Sequence, residues 1–306
     1  MSLPARLLDL DRDALGGLAG RELLDVIAAA EGRTLAVEVI AGAAPLVDGV
    51  HNLEVAAAMG ADLVLLNRVE EALASDGWAF PAIGRSNDLA DLARRVGHPI
   101  GANLEPGDVP APRRATPEAA KRLVDAGAAF LCLTANPGTG TSLLQLTEAT
   151  AAVRAALGQQ PVIWAGKMHQ AGASEPLTPE GIAALATAGA DGALVPLPGT
   201  VPGMRRETAA AIVEAVHAAG GLAIGTVGTS QEGAHTSVAV PLALVAKEIG
   251  IDIHHLGDAG LGGGPDPELV YHYSVAIRGR RHTWRRMALG GRAPRSPDGS
   301  DRVRPD

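Results

Sequence analysis

GADLVLL at residues 60–66 is the stretch that decides the fold, because closely similar stretches return three times along the chain. They are GAAFLCL at 127–133, GADGALV at 189–195 and GIDIHHL at 250–256, so successive starts are 67, 62 and 61 residues apart. Four more apolar runs of the same length alternate with them: TLAVEVI at 34–40, PIGANLE at 99–105, PVIWAGK at 161–167 and LAIGTVG at 222–228. Short apolar runs between turn residues predict strands, so the chain carries eight of them.

Amphipathic helices are predicted between these strands. Three of the helices begin with a capping residue, then proline at the first helical position, then glutamate. These starts are Thr116-Pro117-Glu118, Thr178-Pro179-Glu180 and Asp266-Pro267-Glu268. Eight strand and helix units in about 250 residues predict a closed parallel (β/α)8 TIM barrel. An open doubly wound sheet is the alternative, and the regular repeat favours closure because all strands of a barrel are equivalent.

Composition narrows the class of protein. Of the 306 residues, 47% are apolar and only 2% aromatic, which suits a barrel interior filled with branched aliphatic side chains. The formal charge of -8 argues against a nucleic-acid partner. The single cysteine, Cys132, excludes a disulfide framework and is interpreted as a core residue. Since we find neither a membrane-spanning run nor a signal peptide, we expect a cytoplasmic protein without a membrane partner.

Three regions are predicted along the chain. Residues 1–32 form an N-terminal cap, with a helix at 21–31 that closes one end of the barrel, and residues 33–290 form the (β/α)8 barrel. Residues 291–306 are rich in Pro, Gly, Ser and charge, which predicts a disordered tail. Five arginines crowd residues 278–286 and are interpreted as a solvated helix face, with a subunit contact as the alternative. We expect a homo-oligomer.

Active sites of such barrels lie at the carboxyl ends of the strands. Charged side chains there are costly to bury without a partner or a purpose. Glu38, Glu105 and Lys167 all fall at this one end, which favours a functional site over the alternative of a buried ion-pair network that only positions loops. The predicted catalytic residues are Lys167, Glu38, His169 and Asp258. The predicted substrate-binding side chains are Asn67, Asn103, Glu105, Asn136, Glu232 and His255.

Lys167 is the foremost candidate for catalysis. Burial beside Trp164 is expected to lower the pKa of its ammonium, which suits a general base or a Schiff-base nucleophile. His169, two residues on, is expected to point the same way and to relay a proton, as is Glu38. The sequence leaves a second interpretation open, in which Lys167 only binds a phosphate or carboxylate of the substrate as a point charge.

Two glycine-rich loops, after the seventh and eighth strands, predict a phosphate site. Small residues let backbone N–H groups converge on an anion, and barrels often bind phosphate at these two loops. The predicted phosphate-binding residues are Gly228, Thr229, Ser230, Gly260, Gly262 and Gly263. A bulky residue in place of Gly262 is expected to exclude the anion with little effect on folding.

A metal site is not specified by spacing. His254 and His255 are adjacent, so they face opposite sides of their strand and cannot both bind one ion. Glu38, Glu105 and Asp258 are oxygen ligands that could hold a divalent ion such as Mg²⁺. The sequence therefore requires no cofactor and leaves Mg²⁺ open.

Several motifs together resemble a bacterial family of TIM-barrel proteins often labelled haloacid-dehalogenase-like hydrolases. They are EGRTLAVEV, GADLVLLN, NPGTGTS, AGKMH, GTSQEGAH and HHLGDAGLGG, and they extend from residue 31 to about residue 264. The chain is similar, more distantly, to phosphosugar-binding and BtpA-type barrels. The resemblance implies the barrel fold and assigns no catalytic residue.

Three functions fit these residues. The first is an isomerase or aldolase-type lyase that acts on a small phosphorylated, sugar-like or carbonyl metabolite by proton transfer or C–C bond cleavage. The second is metal-assisted hydrolysis of such a metabolite by Glu38, Glu105, His169 and Asp258. The third is a noncatalytic barrel that binds a metabolite. Metal analysis separates the first two, and the third predicts binding without turnover.

Overall fold

Eight parallel strands close into one barrel in the computed structural model, which describes residues 5–74, 77–228, 230–258 and 260–290. Each strand pairs with the next along the chain, and the last pairs with the first. The strands are β1 (Thr34–Ile40), β2 (Leu63–Asn67), β3 (Ile100–Leu104), β4 (Phe130–Leu133), β5 (Val162–Gly166), β6 (Gly192–Pro196), β7 (Leu222–Thr226) and β8 (Ile253–Leu256). The predicted TIM barrel is confirmed, and the open sheet is excluded.

Helices cover the barrel, and the predicted starts are capped as expected. Thr116 and Thr178 each accept a backbone N–H three residues on, and Asp266 Oδ1 accepts the N–H of Glu268 at 2.8 Å. The helices are α1 (Arg12–Gly16), α2 (Gly20–Ala28), α3 (Asn52–Ala58), α4 (Leu89–Val96), α5 (Pro117–Asp125), α6 (Leu143–Leu157), α7 (Pro179–Thr187), α8 (Arg206–Ala218), α9 (Ala239–Glu248) and α10 (Pro267–Gly290). A non-helical Gly279, with φ 75°, divides α10 into two parts.

A small antiparallel sheet follows β2 and was not expected from the sequence. Its three strands are Leu73–Ala74, Gly77–Phe80 and Gly84–Ser86. Trp78 and Phe80 are buried, and the Phe80 ring meets His51 edge-on with centroids 5.8 Å apart. The insertion is therefore anchored to the loop after β1 by Phe80, on which Trp78 stacks.

Alternate residues of each strand fill the barrel interior. At its N-terminal end Leu23 and Ile27 of α2 lie in one buried cluster with Val162 and Ile253, the first residues of β5 and β8. The segment before β1 thus closes the bottom of the barrel and leaves the carboxyl ends of the strands for a site. The division between a cap and a barrel at residues 32 and 33 stays a prediction.

A buried ion-pair cluster attaches α10 to the start of β2. Arg278 Nη1 lies 2.5 Å from Asp62 Oδ2, and Arg286 Nε lies 2.9 Å from Asp62 Oδ1. All three side chains are buried, so the interpretation of this segment as a solvated face is wrong for these two arginines. The predicted disordered tail, residues 291–306, lies outside the described residues. Within those residues no helix is both long enough and apolar enough to span a membrane.

Acidification is expected to destabilise the fold through two buried histidines. Burial lowers the pKa of His98 to about 4 and that of His254 to about 3, from an ordinary value of 6.5. Below pH 6.5 the unfolded chain therefore binds more protons than the folded one. The melting temperature should stay level above that pH and fall progressively below it, and His254→Gln should flatten the fall. A wild-type melting temperature that stays constant down to pH 4.5 would contradict this.

Candidate active site

A cavity of about 230 Å³ opens at the carboxyl ends of the strands. Its lining contains three carboxylates and two imidazoles but no lysine or arginine. The lining residues are Glu38, Thr134, Ala135, Asn136, Pro137, Met168, His169, Gly228, Glu232, His255, Gly257, Asp258 and Gly260. Eight of the predicted site residues line this cavity: Glu38, Asn136, His169, Gly228, Glu232, His255, Asp258 and Gly260. The mouth of the barrel is therefore the candidate active site.

Glu38 lies inside the barrel near the end of β1 and is 4% exposed. Asn67, on the neighbouring strand, donates from Nδ2 to Glu38 Oε1 at 2.6 Å. The other oxygen, Oε2, lies 3.3 Å from His255 Nε2 and has no hydrogen-bond donor among the described residues. One oxygen is therefore held by an amide donor, while the other is buried and has the His255 imidazole as its polar neighbour.

Asp258 follows β8 and lines the same cavity, and its surroundings shift its pKa above the ordinary value of an aspartate. Burial raises its pKa, and the charge of Glu38 raises it further. The N–H of Gly260, which donates to Asp258 Oδ1 at 2.9 Å, opposes this, as do His255 and Arg68. Two carboxyl groups that share a cavity but differ in environment are suited to acid and base roles.

His169 is held as a neutral imidazole. Its Nδ1 accepts the backbone N–H of Ala171 at 2.7 Å, which places the ring proton on Nε2. Burial lowers the pKa of this imidazole; the charge of Glu38 raises it and that of Lys167 lowers it. The ring can donate a hydrogen bond into the cavity.

Glu232 belongs to the short turn after β7 and closes another side of the cavity. It is buried, and its Oε2 accepts the N–H of Gly257 at 2.6 Å. A Cβ on Gly257 would lie 2.7 Å from the Glu232 carboxylate oxygens. A side chain at position 257 would therefore displace the Glu232 carboxylate from its present position.

Two asparagines and Glu105 stand behind the cavity wall. Asn67 and Asn103 are buried and hydrogen-bonded to each other at 3.2 Å, and neither lines the cavity. Glu105 is fully buried: it accepts from Asn136 and pairs with Arg113 at 3.1 Å. Burial raises its pKa, while the hydrogen bond from Asn136 and the charge of Arg113 oppose this. The positions of Asn67, Asn103 and Glu105 do not allow the direct substrate contact that was predicted for them.

Lys167 is buried outside the cavity lining. Its Nζ donates to Glu175 Oε1 at 2.8 Å, and the same oxygen accepts the N–H of Leu143 at the start of α6. Strand β5 ends at Gly166, where φ is 146°, so the alternation that was expected to align Lys167 with His169 stops there. Trp164, which was expected to lie beside Lys167, instead stacks on Phe130 inside the barrel.

The glycine-rich loops meet the cavity only in part. Gly228 and Gly260 line it, whereas Ser230 is exposed and not part of the lining, and Thr229 lies outside the described residues. The carbonyl oxygen of Gly262 accepts from Asn52 at the start of α3, and that of Gly263 accepts the N–H of Ile40 at the end of β1, so the loop is joined to both elements. Since φ is +73° at Gly262, a bulky residue there would strain the backbone, which corrects the expectation of little effect on folding.

His254 has a structural role on the outer face of β8. Its two ring nitrogens lie 3.1 Å from the Tyr273 hydroxyl and from the Gly32 carbonyl oxygen. Within the described residues no three acidic, histidine or cysteine side chains are grouped closely enough to form a metal site. The set Glu38, Glu105 and Asp258 is therefore not brought together, because Glu105 is enclosed by Asn136 and Arg113.

Two residues of this region had no separate signal in the sequence. Glu175 is an acid in a loop eight positions after Lys167, and Arg113 follows a proline in a short turn. Their importance comes from contacts between loops of different units. Only the unusual lysine and glutamate at strand ends indicated that such partners had to exist.

Solved structures share this barrel. Oxaloacetate acetylhydrolase in complex with the product oxalate is 17% identical over 95% of this chain and 92% of its own, with a TM-score of 0.50. A putative dihydrodipicolinate synthetase from Pseudomonas aeruginosa is 14% identical over 84% and 82%, with a TM-score of 0.51. A structure of 2,3-dimethylmalate lyase, a PEP mutase/isocitrate lyase superfamily member, is 18% identical over 92% of this chain and 93% of its own, with a TM-score of 0.49. At these identities the likeness to the first two structures shows the fold alone.

Sequence comparison determines the family. No curated protein matches the chain. A model described as a domain of unknown function, DUF7916, matches residues 8–292. This overturns the expected kinship to haloacid-dehalogenase-like hydrolases, since the family match is a different one and the similar barrels bear the names of other enzymes. The chain belongs to the DUF7916 family.

Proposed function

We propose that the cavity catalyses C–C bond cleavage of a small β-hydroxy carbonyl compound by proton transfer, as an aldolase-type lyase. The observation that carries this function is the pairing of Glu38 with Asp258. Both line one cavity, and burial together with the charge of Glu38 raises the pKa of Asp258. One carboxyl group can thus accept a proton while the other supplies one.

The proposed roles of Glu38, His169 and Asp258 follow from the hydrogen bonds that each side chain already makes. Glu38 Oε2 removes the proton of the substrate hydroxyl, the C–C bond breaks, and the hydroxyl carbon becomes a carbonyl. The bonding electron pair forms an enolate on the other fragment, whose oxygen accepts a hydrogen bond from His169 Nε2. Asp258 then protonates the enolate carbon. Exchange with water restores both carboxyl groups, so atoms and charges balance.

The charge of the cavity lining favours a small substrate that places no phosphate beside the carboxylates. The carboxylates of Glu38 and Glu232 would repel an anion, and no lysine or arginine is among the lining residues. A volume of about 230 Å³ is below the roughly 300–1,000 Å³ of drug-sized pockets, which suits a small metabolite. The phosphate site predicted between the seventh and eighth loops stays a prediction, because Gly228 and Gly260 remain available.

A divalent cation such as Mg²⁺ is a second route to stabilise the enolate. Glu38 fits such an ion because its Oε2 is buried without a donor, and Asp258 supplies a second oxygen in the same cavity. Mg²⁺ commonly uses one or two carboxylates and completes its shell with water. Bound there, the ion would polarise the carbonyl oxygen of the substrate. Metal-assisted hydrolysis through Glu105 is not supported, since Glu105 does not reach the cavity.

An NMR assay of substrate mixtures tests this function. The purified protein is incubated with β-hydroxy ketones and hydroxy-oxo acids, each with and without a phosphate ester, after EDTA treatment and again with added MgCl₂. We expect one compound to split into two carbonyl fragments, with unphosphorylated compounds preferred. Binding without any cleavage in either metal arm would favour the noncatalytic barrel instead.

A further inference from the structure

A chain of side-chain hydrogen bonds connects a sealed carboxylate to the cavity. Asn136 Nδ2 donates to Glu105 Oε1 at 2.7 Å, and Asn67 Nδ2 donates to Asn136 Oδ1 at 3.2 Å. The same Asn67 nitrogen donates to Glu38 Oε1 at 2.6 Å. Glu105 and Glu38 therefore stand at the two ends of this chain, and two amides lie between them.

The carboxylates fix the direction of both amides. An ionised carboxylate only accepts hydrogen bonds, so Asn136 must turn its NH₂ toward Glu105 and its oxygen toward Asn67. Asn67 must then donate from Nδ2, and its Oδ1 accepts the backbone N–H of Arg68 at 2.8 Å and the amide of Asn103 at 3.2 Å. Every donor and acceptor of the Asn67 side chain is therefore paired. If this amide were reversed, its NH₂ would face the N–H of Arg68 and its oxygen would face the Glu38 carboxylate.

Glu105 also holds the backbone of the cavity wall. Its Oε2 accepts the N–H of Asn136 at 2.8 Å, and the residues on both sides of Asn136 line the cavity. Arg113 pairs with Glu105 from the far side and with Glu70 at 3.1 Å. The carboxylate thus contacts the wall and the amide chain without reaching the cavity itself.

We propose that Glu105 is a positioning residue that sets the polarity of the chain Asn136, Asn67 and Glu38. By this polarity Asn67 binds Glu38 Oε1 and leaves Glu38 Oε2 without an amide donor, 3.3 Å from His255 Nε2. The base role of Glu38 rests on the proposed function. The hydrogen-bond polarity does not, and it can be measured without a substrate.

The test is hydrogen exchange of the Asn67 side-chain NH₂ group, followed by two-dimensional NMR on the full chain. Wild-type protein should show a protected NH₂ group. Glu105→Gln should lose the protection, because glutamine offers one acceptor to the two donors of Asn136. Glu70→Gln is the matched control: it removes a charge from the same arginine without touching the amides, and protection should remain.

An exchange of groups provides the rescue. In the double variant Glu105→Gln with Asn136→Asp, the glutamine donates to the new carboxylate, which again accepts from Asn67, so protection should return. If Glu105→Gln does not fold, Asn136→Ala severs the same chain and should lose protection alike. Retained protection in Glu105→Gln or Asn136→Ala, or no return in the folded double variant, would overturn the proposal. Cleavage activity is measured separately, so a wrong function would leave these results unchanged.

Discussion

Glu38→Gln is expected to lower kcat by about 10²–10⁴-fold, the usual contribution of a general base. The amide keeps the shape of the side chain and can still accept from Asn67 at Oε1, but it cannot take up a proton. The substrate identified by the cleavage assay gives the rate, and KM should change little because the loss concerns the transition state. Glu248→Gln serves as a control, since Glu248 is exposed on α9 and pairs with Arg206.

The same variant should change the titration of its neighbour. The charge of Glu38 raises the pKa of Asp258, so its removal should lower that pKa. Asp258 must be protonated to act as the acid, and the fall in activity with rising pH should therefore begin at a lower pH in Glu38→Gln. Unchanged kcat together with an unchanged pH profile would remove Glu38 from the mechanism.

Asp62→Ala is expected to destabilise the protein by about 3–5 kcal/mol, the cost typical of breaking a buried ion pair. The substitution leaves the guanidinium groups of Arg278 and Arg286 buried without their carboxylate, and the N–H of Leu35 without its acceptor. Urea unfolding measures the free-energy change. Asp9→Ala is the matched control, because Asp9 pairs with Arg6 at the surface, where solvent screens the ion pair and its loss should change stability little. A change below about 1 kcal/mol for Asp62→Ala would show that α10 is held by other contacts.

The barrel could be predicted because parallel strands buried on both faces have near-continuous apolar sequences. The repeat beginning GADLVLL therefore marked every second strand, and the apolar runs between marked the rest. The sheet of residues 73–86 could not be found in this way. Its strands are two to four residues long, and Phe80 is buried against His51 of a distant loop, with Trp78 stacked on Phe80.

The site could be predicted as far as the rule for strand ends applies. Glu38, His255 and Asp258 lie in the cavity because their strands end there. Lys167 shows the limit of the rule, since the chain turns at Gly166 and the ammonium then meets Glu175 from a later loop. No periodicity within one strand encodes such a partner.

Solvent deuterium exchange into a carbonyl fragment tests the central claim most directly. The fragment released by cleavage is incubated in D₂O with wild-type protein, Glu38→Gln, Asp258→Asn and Lys167→Arg, and the C–H signal beside the carbonyl is followed by NMR. We expect exchange in wild type and Lys167→Arg, and its loss in Asp258→Asn, because Asp258 exchanges the proton on carbon. Exchange lost in Lys167→Arg but retained in Asp258→Asn would contradict carboxylate catalysis in this cavity.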